Sequence, residues 1–201
     1  MNELTEKSNP FSTRFTRPGA VPFIFTSNDT RQALIERLRR AKWRGQIVGP
    51  HGSGKSTLIE SLMGALEDAG KKPARFRLQS GQHRLPNGWK AEATRGKADV
   101  VVVDGYDQLW PWRKLALRAF VNRQGLGLLV TSHTGCRLPT VFRTSPDADV
   151  FQRVVHRLTP GTLQAGQLDL ARAFDDAHGN IREALFALYD QYEQYSVEQR
   201  V

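Results

Sequence analysis

The sequence predicts an α/β protein, a parallel sheet flanked by helices, followed by a small C-terminal helical lid. Two observations predict it. Short buried-strand patterns alternate with amphipathic helical patterns as far as Thr144, and alternation of that kind needs a parallel sheet covered on both faces. From Pro146 onward only helical patterns occur. The expected organisation is a loose arm over 1–20, a core over 21–144 and a lid over 145–201. The chain has 201 residues, 39% of them hydrophobic, which suffices for one domain with a real core and a small appendage.

The elements follow in order. Residues 1–20 are polar, contain Pro10 and Pro18 and lack periodicity, so a flexible arm is expected. Pro22–Phe25 is an apolar patch. Ser27 and Asn28 offer caps for a helix with Leu34, Ile35 and Leu38 on one face. Gly45–Gly49 reads as a buried strand, and the helix after it faces Leu58, Leu62, Ala65 and Leu66 inward until Gly70. Ala74–Gln79 alternates like a strand, whereas Gln82–Lys97 reads as loop with at most one helical turn. Four valines ending in Asp104 make the next strand. Pro111 then starts a helix, with Trp112, Leu115, Ala116, Ala119 and Phe120 expected inside. Leu126–His133 is a buried strand with a polar end, and Thr140–Thr144 a short one. Three helical patterns close the chain: Pro146–Leu158, Leu168–Ala177 and one from Asn180.

The chemistry concentrates at one loop. Gly49, Pro50, His51, Gly52, Ser53, Gly54, Lys55 and Ser56 match G-x-x-x-x-G-K-[ST] without a mismatch, and Thr57 closes the run. Glycines let the loop curl so that backbone N–H groups point at phosphate oxygens. The helix that follows adds its positive end. Lys55 brings a point charge, and Ser56 a hydroxyl suited to magnesium.

On these residues the chain resembles a P-loop nucleoside triphosphatase, with Gly49–Ser56 as Walker A and Val100–Asp104 as Walker B. The resemblance implies ATP and Mg²⁺ as cofactors, with Asp104 holding the metal through water. GTP-binding relatives carry D-x-x-G here, but Asp107 stands at that glycine, and Gly96–Asp99 only mimics their guanine reader. Two further features resemble the AAA+ group. Thr131 and His133 sit at the end of a polar-ended strand, where that group senses the γ-phosphate. Gly179–Leu185 resembles a sensor-2 segment, with Arg182 reaching ATP.

One departure bears on catalysis. Gly105 stands where such enzymes carry the carboxylate that activates water. A turn at Gly105 can swing Asp107 back as a replacement, or Asp107 can cap the next helix. The reading is therefore an ATPase with slow hydrolysis coupled to a macromolecular partner. A nucleotide or small-molecule kinase and a non-hydrolysing, ATP-gated adaptor to DNA are the alternatives. Lys and Arg outnumber Asp and Glu 29 to 20, which favours an anionic partner, nucleic acid among them. A homo-oligomer is compatible with this reading. Arg113, Lys114, Arg118 and Arg123 with Trp110 form a basic, aromatic-edged surface. No apolar run is long enough for a membrane span and no signal core is visible, so a cytoplasmic protein is expected. The single cysteine, Cys136, excludes an internal disulfide and reads as a bystander thiol.

Overall fold

The five strand patterns form five strands in the computed structural model, which describes residues 9–26, 29–160 and 168–198. The strands are β1 (Arg44–Val48), β2 (Pro73–Arg77), β3 (Val100–Asp104), β4 (Gly127–Ser132) and β5 (Thr140–Arg143). All pair in parallel, in the order β2-β3-β4-β1-β5. Every residue of β3 and β4 is buried, which is why they read as continuous apolar runs rather than alternating ones. Because the strands are parallel, their carboxyl ends share one edge. The chain after β1 and the ends of β3 and β4 therefore meet there.

The chain divides into two compact units. The sheet unit comprises Phe25–His51 and Lys55–Ser145. Its helices are α2 (Arg31–Arg40), α3 (Lys55–Asp68), α4 (Trp89–Arg95) and α5 (Pro111–Arg123), α1 being a short helix of the other unit (Thr13–Thr16). The cap of α2 is Thr30, whose hydroxyl accepts from Ala33 N at 3.1 Å; the expected caps Ser27 and Asn28 lie outside the described residues. Gln82–Lys97 holds a true helix, α4, rather than a loop. Trp89 packs edge-on against Phe120 and Phe76, and Ala93 is buried, so tertiary burial stabilises a segment with weak periodicity.

Helix α5 corrects the expected inward face. Leu117 and Val121 are buried against Val101, Val103, Leu128 and Val130, while Trp112 and Leu115 are 56% and 68% exposed. The helix carries apolar residues on two stripes, and both satisfy a 3.6-residue period. Only contact with the sheet selects between them.

The link from β4 to β5, residues 133–139, contains no helix. Parallel crossovers usually need a dozen or more residues. Buried Gln46 holds this short one: its amide nitrogen donates to the carbonyls of Cys136 and Leu138, and its oxygen accepts from Cys136 N at 2.7 Å.

The helical unit comprises Met1–Ile24, Gly52–Gly54 and Pro146–Val201. Besides α1 it contains α6 (Ala148–Leu158), α7 (Leu170–Asp176) and α8 (Ile181–Glu198). Its core is Phe11, Phe151, Val155, Ala173, Ala184, Leu185 and Leu188. The loose arm expected over 1–20 is corrected from Asn9 onward. Phe11 is fully buried, and the Asn9 side chain donates to Tyr189 O and to Glu193 at 2.8 Å. The residues before Asn9 lie outside the described ones. A single aromatic anchor has no period, so pattern reading passes over it.

Candidate nucleotide site

The glycine-rich loop leaves β1 at Gly49 and enters α3 at Lys55. Gly52 and Gly54 take φ of +66° and +85°, values that side-chain-bearing residues rarely adopt. Lys55 is buried, and its ammonium donates to the carbonyls of Gly49 and Pro50, each at 2.6 Å. Ser56 and Thr57 occupy the first turn of α3, the end where the helix dipole is positive.

The strand ends form a connected polar group. Asp104 is buried at the end of β3, and the Thr131 hydroxyl donates to its Oδ1 at 2.8 Å. Gly105 N donates to that same hydroxyl oxygen at 2.8 Å. Asp104 Oδ2 is buried without a hydrogen-bond partner among the described residues, and the Arg77 guanidinium lies 3.7 Å from it. An oxygen left so is what water-mediated magnesium binding needs. Magnesium keeps several waters and takes only one or two protein groups beside phosphates, so Ser56 and Asp104 are a chemically fitting pair.

Gly105 has φ +88°, and a Cβ there would fall 2.9 Å from Gln108 Nε2 and 3.1 Å from Leu78 O. A side chain at this position would therefore be strained by the positive φ and crowded by Leu78 O. The turn continues as a 3-10 segment, Tyr106–Gln108, that carries Asp107. Asp107 does not cap α5, whose N-cap position is Trp110. Its carboxylate instead contacts His133 Nδ1, just past β4. The His133 ring lies 3.6 Å, centroid to centroid, from that of His51 in the glycine-rich loop. Sequence reasoning named each of these residues, but not the coupling of Asp107 to His133 and His51. It missed Arg77 altogether, although the β2–β3 register pairs Arg77 with Asp104.

Solved structures share this architecture. AMPPCP-bound DnaA from Aquifex aeolicus aligns with a TM-score of 0.51 at 14% identity, over 88% of this chain and 68% of that one. Hsp104 from S. cerevisiae, in a casein complex, aligns with a TM-score of 0.58 at 15% identity, over 89% of this chain and 38% of that one. The fold is the P-loop α/β sandwich that these solved structures share. A DNA replication initiation factor aligns at 0.53 and 12% identity, over 84% of this chain and 64% of that one. The chain thus spans about two fifths of the Hsp104 chain and under two thirds of the initiation factor. At these identities the likeness is one of fold. No protein-family model matches the chain, and no curated protein matches its sequence.

The helical unit also includes part of the loop, Gly52–Gly54. A Cβ on Gly52 would fall 1.6 Å from Asn180 Oδ1 and 3.3 Å from Arg182 N, so only glycine fits against this turn. Asn180 caps α8, accepting from Arg182 N and Glu183 N at 3.1 and 3.3 Å. Arg182 is exposed in the first turn of α8 and forms no ion pair among the described residues; nearby Asp176 pairs with Arg172 instead. No helix among the described residues is long and apolar enough to cross a membrane.

Proposed function

We propose that the chain is a magnesium-dependent ATPase whose slow hydrolysis is coupled to a macromolecular partner. The observation that carries this reading is the Asp107–His133 pair, which joins two elements and offers a base where Gly105 supplies no carboxylate. Asp107 accepts from His133 Nδ1–H, which leaves Nε2 as the proton acceptor. In this reading His133 Nε2 takes the proton of the attacking water and Asp107 holds the tautomer. Lys55 and the loop N–H groups hold the outer phosphates, and Thr131 fixes the Asp104 carboxylate. Ser56 and Asp104 would hold magnesium, which would supply neutralising charge at the phosphates.

The kinase alternative needed an acceptor pocket under an arginine-rich lid, with Gln82–Lys97 as the candidate insertion. That segment instead packs α4 onto the sheet unit through Trp89 and Ala93.

Phosphate release from ATP by purified protein, with magnesium and with or without DNA, tests the reading. Release above background that is stimulated by a partner supports it. ATP bound with no release in any condition would favour the adaptor. Labelled phosphate on an added acceptor would favour the kinase.

A further inference from the structure

We propose that α5 and its flanking arginines bind single-stranded nucleic acid, with a phosphate seated among Arg44, Arg118 and Arg137 and a base stacked on Trp112. This names the class of partner that the ATPase reading leaves open, at a site the nucleotide does not share.

The first support is electrostatic. A cavity of about 180 Å³ is lined by Arg44, Arg118 and Arg137 with Asn122, and by no carboxylate. None of the three arginines forms an ion pair among the described residues. Arg118 Nε is buried without a hydrogen-bond partner among them. Three cationic side chains lining one small space repel each other, and a bound anion offsets that repulsion. At ~30 Å³ per water the cavity has room for about six waters, enough for one phosphate group. Arginine's planar fork suits phosphate oxygens. The surroundings reinforce the sign: no Asp or Glu occurs between Asp107 and Asp147, a stretch containing Arg113, Lys114, Arg118, Arg123, Arg137 and Arg143.

The second support is aromatic. Trp110 and Trp112 are 48% and 56% exposed, with ring centroids 4.6 Å apart. His83 stacks on Trp110 at 5.5 Å and 12°. One face of Trp110 is thereby covered and the ring steadied, while Trp112 remains the more open platform. Stacking on such rings is a sequence-tolerant mode of single-strand binding. Arg118 follows Trp112 by six residues, about 9 Å along the helix and about 120° around it, so a strand that reaches both crosses α5 obliquely. An acidic protein would satisfy the charge but would make no use of a stacking platform.

The test is anisotropy of a fluorescein-labelled dT oligonucleotide on the full chain, without ATP, across a salt series, with tryptophan emission followed in parallel. Binding with quenched emission is expected. Trp112→Ala should weaken it roughly 5- to 150-fold, the range found for loss of one stacked base. Arg118→Gln should lower the slope of log K against log salt by about 0.7, one single-strand phosphate. Trp112 is exposed, so its variant remains readable if Arg118→Gln misfolds. Undetectable binding at low salt, unchanged affinity of Trp112→Ala, or equal binding of a duplex without quenching would overturn the proposal. So would polyglutamate binding where the oligonucleotide does not bind, which would point to an acidic protein. Because no nucleotide is present, failure of the ATPase reading leaves this outcome interpretable.

Discussion

The carboxyl edge of the sheet and the outer face of α5 belong to the same unit but treat polar groups in opposite ways. At the edge, Thr131 donates to Asp104 and accepts from Gly105, and Asp107 meets His133. Apart from Asp104 Oδ2 and Asp107 Oδ1, these groups are oriented by each other before any ligand arrives. On α5 the cations face outward or into an arginine-lined cavity, and two indoles lie open to solvent. Groups that stabilise a reaction gain most when fixed in advance. Groups that capture a polymer need only a complementary charge and an exposed ring, and the polymer completes them.

Substitutions at each place can break this comparison. Asp107→Asn should have the largest effect, slowing phosphate release by roughly 10²- to 10⁴-fold, the usual contribution of a base, because it releases the His133 tautomer, with ATP affinity retained. Unaltered turnover would reduce the edge to a structural network. Leu117→Ala should cost about 2–5 kcal/mol in denaturant unfolding, as buried leucines do. Leu115→Ala on the same helix should stay within about 0.5 kcal/mol. Equal losses would mean that the open face of α5 is a packed one. Lys55→Ala should weaken ATP binding roughly 10- to 150-fold, equivalent to one charge-assisted hydrogen bond, as read by calorimetry. Unchanged affinity would remove the glycine-rich loop from the site. The smallest effect concerns Cys136. Burial pushes its thiol up, while Arg118 pulls the other way. The thiolate is the nucleophile, so alkylation at pH 8 should be slower than that of free cysteine, and slower still in Arg118→Gln.

Much of the site was legible because phosphate chemistry demands particular residues at particular spacings. Gly49–Ser56 is a local backbone device, and local devices leave consecutive letters. Asp104 was legible because a fully buried strand shows its polar end. Arg77 was not, since a strand partner is set by register, and its carboxylate lies 27 residues away. Asp107 was left between two roles for the same reason: the ring that chooses between them, His133, comes from another strand.

Sequence alone determined the strand content, the parallel sheet, the loop and Gly105 as the point of departure. Each is dictated within a few residues by periodicity, burial or positive φ. Tertiary structure alone decided which stripe of α5 faces the sheet, that Gln46 holds the β4–β5 crossover, that Phe11 fills the helical core, and that Asp107 meets His133. Those outcomes depend on contacts between distant segments, where several local patterns are equally good and only packing chooses among them.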